Sequence, residues 1–124
     1  MRVTRLIPNL SVPDIDEARG FYEDYLGLGH EGLGELDWVA RFQSPDGRAA
    51  VQLVTRDATA PEDSVLSVAV GDDVDEAYAE ARRRGYEIVH PLTTEPRGVR
   101  RFFVRAPDGN LINITGHKDE ERTD

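Results

Sequence analysis

The sequence predicts an α+β fold built from two βαβββ modules. Three observations carry that prediction. Apolar alternation gives a strand, then a helical stripe, then three short strands, and the same order returns in the second half. The run Asp14-Ile-Asp-Glu-Ala18 recurs as Asp73-Val-Asp-Glu-Ala77. The turn Pro45-Asp-Gly47 recurs as Pro107-Asp-Gly109, in the same order and at nearly the same spacing. The chain is therefore read as one domain, 1–124, with internal modules 1–59 and 60–116, divided near Ala58–Asp63, and a polar tail 117–124.

The elements follow in order. Val3–Val12 alternates like a strand, with Arg5, Ile7, Asn9 and Ser11 on one face and Leu6, Pro8, Leu10 and Val12 on the other. Pro8 has no amide hydrogen and suits an edge or a bulge. Asp14 is the expected cap of the first helix, with Glu17 completing a capping box. Ile15, Ala18, Tyr22, Tyr25 and Leu26 make its apolar stripe, and Gly27 and Gly29 let the chain leave it. Strands are expected near His30–Leu33, Trp38–Gln43 and Ala49–Thr55, the last two joined by a turn at Ser44–Gly47. The second module opens with strand Ser64–Val70. Asp73 should cap a helix through Arg84, with Val74, Ala77, Tyr78 and Ala81 buried and Arg82–Arg84 complementing the helix dipole. Gly85 ends it, and strands follow near Tyr86–His90, Val99–Arg105 and Asn110–Thr115.

Composition narrows the function. The 124 residues hold 24 acidic and 15 basic side chains, a formal net charge of −9. Such a chain repels phosphate backbones, so nucleic acid is not an expected partner. Cysteine is absent, which excludes disulfides, thiolate metal sites and Cys nucleophiles. No apolar run is long enough to span a membrane and the first residues lack the apolar core of a signal peptide, so a cytoplasmic protein is expected.

Several runs together resemble the vicinal oxygen chelate superfamily, which includes glyoxalase I, extradiol dioxygenases and bleomycin-resistance proteins. The runs are Val12-Pro-Asp14, Phe21-Tyr22 with Leu26-Gly27, Asp72-Asp73-Val74-Asp75 and, most specifically, Arg101-Phe-Phe-Val-Arg-Ala-Pro-Asp-Gly-Asn-Leu-Ile112. The resemblance covers Val3 to about Gly116. It implies the glyoxalase/bleomycin-resistance fold, an open, barrel-like sheet bearing a cleft. It also implies a homodimer.

Enzymes of that superfamily hold a divalent metal with His, Glu or Gln on the first and last strand of each module. Such a cation needs three or four converging N or O donors. By the family's register the positions fall at Ile7, Val51, Leu66 and Asn113, or at Gln52 and Ser67 if the register slips by one. Neither set supplies enough donors, and His30, His90 and His117 stand at none of these places. No metal, cofactor or catalytic residue is therefore assigned.

Other constellations have two readings each. Glu35 and Asp37 are a carboxylate pair or two solvated loop residues. His90 before Pro91 is a structural histidine or a general base, the structural reading being preferred. Arg97, Arg100, Arg101 and Arg105 read first as surface ion pairing and second as an anion-recognising wall. Trp38, Ala40 and Phe42 share a strand face that either stacks a flat ligand or packs under a helix. Asn9, Ser11, Asn113 and Thr115 place polar groups in strands, which suits a wet cleft.

The reading is a metal-free small-molecule binding protein, closest in kind to the bleomycin-resistance members. It would sequester an aromatic or glycosylated ligand, an antibiotic among the candidates. The ligand-binding set is Asn9, Trp38, Phe42, Gln52, Arg101, Phe103 and Asn113. The alternative is a glyoxalase-like metal-dependent lyase or dioxygenase. A module working through protein contacts alone is a third reading.

Overall fold

In the computed structural model, which describes residues 1–31, 37–96 and 98–117, each half of the chain builds four strands and a helix. The contacts divide it into two units: Ile7–Asp63, and Met1–Leu6 together with the residues from Ser64 on.

In the first unit, β1 (Arg5–Ser11, within this unit from Ile7 on) leads to α1 (Ile15–Gly20), then β2 (Gly29–Glu31), β3 (Val39–Gln43) and β4 (Ala50–Val54). The strand order is β2-β3-β4-β1. β1 runs parallel to β4, while β3 is antiparallel to both β2 and β4. Asp14 caps α1 as expected, its Oδ1 accepting from Glu17 N at 3.2 Å. The helix then departs from the expected stripe. Phe21–Tyr25 is a π-helical turn, with Leu26 N reaching back to Phe21 O at 3.0 Å. The wider turn shifts the helical phase, so Tyr25 (77% exposed) and Leu26 leave the apolar face. Ile15 packs with Ala40, Phe42 and Leu53, flanked by Val12, Ala18, Tyr22, Leu28 and Val51.

The second unit repeats the plan with β5 (Leu66–Ala69), α2 (Val74–Arg83), β6 (Glu87–Thr94), β7 (Arg100–Arg105) and β8 (Leu111–Gly116). The order is β5-β8-β7-β6, with β5 parallel to β8 and the other pairs antiparallel. Asp73 is not the side-chain cap expected of it. It lies in a 3-10 turn, Gly71–Asp73, and its carboxylate accepts from Arg2 N at 2.8 Å. α2 lays Val74, Ala77 and Ala81 on Val68, Val70, Phe102 and Ile114. Both Pro-Asp-Gly turns close as expected: Gly47 N donates to Ser44 O at 2.8 Å and Gly109 N to Ala106 O at 2.9 Å. Both glycines have positive φ, which an L side chain adopts only under strain.

The edge strand β6 is three residues longer than expected and irregular. Its pairing with β7 shifts between Ile88 and His90, and again between His90 and Thr93. Pro91 falls within the second shift, where its missing amide costs the ladder little. An inserted residue reverses the alternation. Ile88 thus packs with the α2 core, whereas His90 opposes Phe103 on the other face.

Candidate functional site

In each unit the helix covers one sheet face, and polar residues of interest lie on the other. In the first unit a row of Cα partners crosses all four strands: Glu31 opposite Arg41, Arg41 opposite Gln52, Gln52 beside Asn9. Their side chains are linked in that order. Arg41 donates from Nη1 to Glu31 Oε2 at 3.3 Å and from Nε to Gln52 Oε1 at 3.0 Å. Gln52 Nε2 donates to Asn9 Oδ1 at 3.0 Å. All four are half-buried. Arg41 and Glu31 were not singled out in the sequence. Strand alternation alone put Arg41 opposite the Trp38 face, and only the register joins it to Gln52.

The corresponding row of the second unit is Ser67, Asn113, Phe103 and His90. Asn113 (9% exposed) donates from Nδ2 to Ser67 Oγ at 3.1 Å, and its Oδ1 has no partner among the described residues. Phe103 is buried; His90 meets its ring edge-on at 5.4 Å and the Arg101 guanidinium stands 4.9 Å over it. Glu95 joins these two side chains. Its Oε2 accepts from Arg101 Nε at 2.7 Å and lies 3.0 Å from His90 Nε2. Arg101 is 3% exposed and Glu95 5%. Burial opposes the charged form of Glu95. The hydrogen bonds from His90 and Arg101, and their charges, outweigh it, so the carboxyl titrates below the ordinary glutamate range.

The expected site residues therefore divide. Asn9 and Gln52 lie on the helix-free face of the first unit; Arg101, Phe103 and Asn113 lie on that of the second. Phe42 is on the helix side. It is fully buried in the α1 core, stacked on Tyr22 with centroids 6.2 Å apart. Trp38 precedes β3 and is half-buried, its carbonyl accepting from Thr55 N at 2.9 Å. The surface reading suits Arg100, which pairs with Asp75, and fails for buried Arg101. Arg97 and Glu35 lie outside the described residues, as do Gly32 and Leu33 of the expected strand and residues 118–124 of the tail. Asp37 borders a cleft of about 400 Å³ between the start of α1 and β3, with Asp16, Arg19 and His30.

Val51 and Leu66 pack toward the helices, which leaves their neighbours Gln52 and Ser67 on the opposite faces. The positions on the helix-free faces are Ile7 and Gln52 in one unit, Ser67 and Asn113 in the other. Ile7 offers no lone pair, Gln52 spends its carbonyl on Arg41 and its amide on Asn9, and the remaining pair is a neutral hydroxyl and a neutral amide. This set does not suit a divalent cation, which favours carboxylate or imidazole donors. No group of three or more His, Cys, Asp or Glu among the described residues is arranged to hold one.

Duplicated βαβββ units, each with polar side chains on its helix-free sheet face, define a vicinal-oxygen-chelate type of domain. The family model described as the Glyoxalase/Bleomycin resistance protein/Dioxygenase superfamily matches residues 4–114, and the chain belongs to that superfamily. Among solved structures it is similar to methylmalonyl-CoA epimerase from Mycobacterium tuberculosis, with 22% identity, TM-score 0.74, and 98% of this chain and 93% of that one covered. It is similar also to a protein described as NAD-dependent benzaldehyde dehydrogenase from Legionella pneumophila, with 20% identity, TM-score 0.72, and coverage of 91% and 99%. A superfamily member from Vibrio splendidus 12B01 gives 18% identity, TM-score 0.63, and coverage of 90% and 97%. At these identities the likeness is one of fold. No curated protein matches the chain. No helix among the described residues is long and apolar enough to cross a membrane.

Proposed function

We propose that this chain is a metal-independent small-molecule binding protein of the bleomycin-resistance kind, acting as a homodimer. The observation that supports it best is the donor chemistry at Ile7, Gln52, Ser67 and Asn113: one aliphatic side chain, two amides and a hydroxyl. Such groups orient a ligand by hydrogen bonds and polarise no bond strongly. The linked row Glu31–Arg41–Gln52–Asn9 adds preorganised donors and acceptors on a half-buried face. An aromatic or glycosylated ligand, such as an antibiotic, would supply both the flat area and the hydroxyls that these faces can use.

The test is metal analysis of protein purified without chelator, followed by a thermal-shift screen of aromatic and glycosylated compounds. The expected result is no stoichiometric Mn, Fe, Ni or Zn and stabilisation by one ligand class in chelator. A bound metal at one equivalent, lost together with ligand binding on chelation, overturns the reading.

One observation favours a second reading, an enzyme. The Glu95 carboxylate orients His90 through Nε2, leaving Nδ1 as the site that could take a proton from a substrate. That reading requires turnover that His90→Gln abolishes while ligand affinity is retained.

A further inference from the structure

Two cationic or potentially cationic donors in the second unit converge on one carboxylate oxygen. Arg101 Nε lies 2.7 Å and His90 Nε2 3.0 Å from Glu95 Oε2, and both side chains flank the Phe103 ring. This is the geometry of a carboxylate receptor, two polarised N–H groups above an apolar floor. The chain itself supplies the carboxylate.

Three features separate this arrangement from an ordinary structural ion pair. It lies on the sheet face opposite α2, outside the apolar cluster that holds the unit together. Burying such a pair gains little stability over apolar side chains of the same size. The donors and the acceptor also differ in how they are held. Arg101 sits in regular β7, paired on both sides through Thr93 and Thr115. His90 is aimed by a bulge, a device that re-aims side chains next to sites. Glu95 follows the last residue of β6, where its backbone forms the local bonds Glu95 N to Val99 O and Gly98 N to Glu95 O, each 2.8 Å.

We propose that Arg101, His90 and Phe103 form a carboxylate-binding site in which Glu95 is a resident placeholder, and that the small molecule bound by this protein carries a carboxylate that displaces it. The proposal rests on the small-molecule-binding reading and specifies its ligand class. A tethered carboxylate competes at high effective concentration. A free carboxylate therefore succeeds only with an apolar body that gains further contact, which makes the natural ligand an aromatic or branched acid rather than acetate.

Glu95→Ala removes the atoms of an acetate ion, from Cγ to the two oxygens. Acetate should then fill the gap. With acetate at ten times its dissociation constant, Tm of the variant should rise by about 5 °C. Acetamide, and chloride at equal ionic strength, should leave it unchanged. Benzoate should bind Glu95→Ala at least tenfold more tightly than the wild type, and benzamide should show no such preference. If Glu95→Ala does not fold, Glu95→Gln keeps the side-chain volume, and its neutral amide should yield to benzoate more readily than the native carboxylate. Equal effects of acetate and acetamide, or benzoate affinity unchanged by both substitutions, overturn the proposal. If neutral ligands still bind stoichiometrically in that case, the binding-protein reading stands and only the carboxylate class fails. A stoichiometric metal that ligand binding requires defeats the wider reading instead.

Discussion

Asn113 gives its amide Nδ2 to Ser67 Oγ at 3.1 Å, while its buried side-chain carbonyl oxygen has no partner among the described residues. The strands explain why the two meet: Ser67 and Asn113 are Cα partners in the parallel pair β5–β8. A buried acceptor without a partner is a cost that folding alone does not require. It is intelligible at a position meant to receive a donor from a bound molecule.

Replacing Asn113 by Leu should therefore leave stability unchanged or raise it by up to about 2 kcal/mol, because an unmet acceptor costs roughly 1–3 kcal/mol. Any compound that stabilises the wild type through this face should stabilise the variant less. Urea denaturation measures the first effect and thermal shift the second. A loss of stability above about 2 kcal/mol would mark Asn113 as a purely structural residue.

The two modules were legible because their signals are local. The Asp14 side-chain cap on Glu17 N and the two Pro-Asp-Gly turns are set by neighbours in sequence, and each forms. The site was legible only where strand alternation was unbroken. Asn9, Gln52 and Asn113 fall on the helix-free faces because β1, β4 and β8 are regular. His90 was not legible as a site residue. A register shift in β6 between Ile88 and His90 turns it to a face that simple alternation denies it, and its partner Glu95 lies beyond the strand. Phe42 was ambiguous for a different reason. Alternation gives the face a residue shares, but which face a helix covers is decided by packing.

Gln52→Leu should cost about 1–3 kcal/mol, since Arg41 Nε and Asn9 Oδ1 each lose their bond to Gln52 on a half-buried face. Gln52→Glu should cost less than half as much, because its carboxylate still accepts from Arg41. Equal losses in the two variants, read by chemical denaturation, would show that packing rather than the hydrogen-bonded row governs this position.

Acid stability should depend on Glu95. Its folded carboxyl titrates below the unfolded value of about 4.3, so the charged form favours folding. That contribution is present at neutral pH and down to about the unfolded value. It fades as pH falls through the lower folded value. Glu95→Gln should be less stable than the wild type at pH 7, and the gap should narrow below about pH 4. A gap that is constant from pH 7 to pH 3 would show that the Glu95 charge does not contribute.

Phe42 separates a core face from a ligand face most sharply. Its side chain is 0% exposed, stacked on Tyr22, tilted against His30 at 5.4 Å and capped by the Arg19 guanidinium at 5.9 Å. Removing such a ring leaves a cavity that its neighbours refill only partly. Phe42→Ala should therefore cost about 3–5 kcal/mol. Phe42→Leu, which keeps most of the apolar volume, should cost substantially less. The substitution should act on folding rather than on recognition: where Phe42→Leu remains folded, its affinity for any wild-type ligand should stay within about threefold. A wall of a binding groove would behave in the opposite way, with a small loss of stability and a large loss of affinity. Equilibrium denaturation and ligand titration on the same two variants distinguish the outcomes.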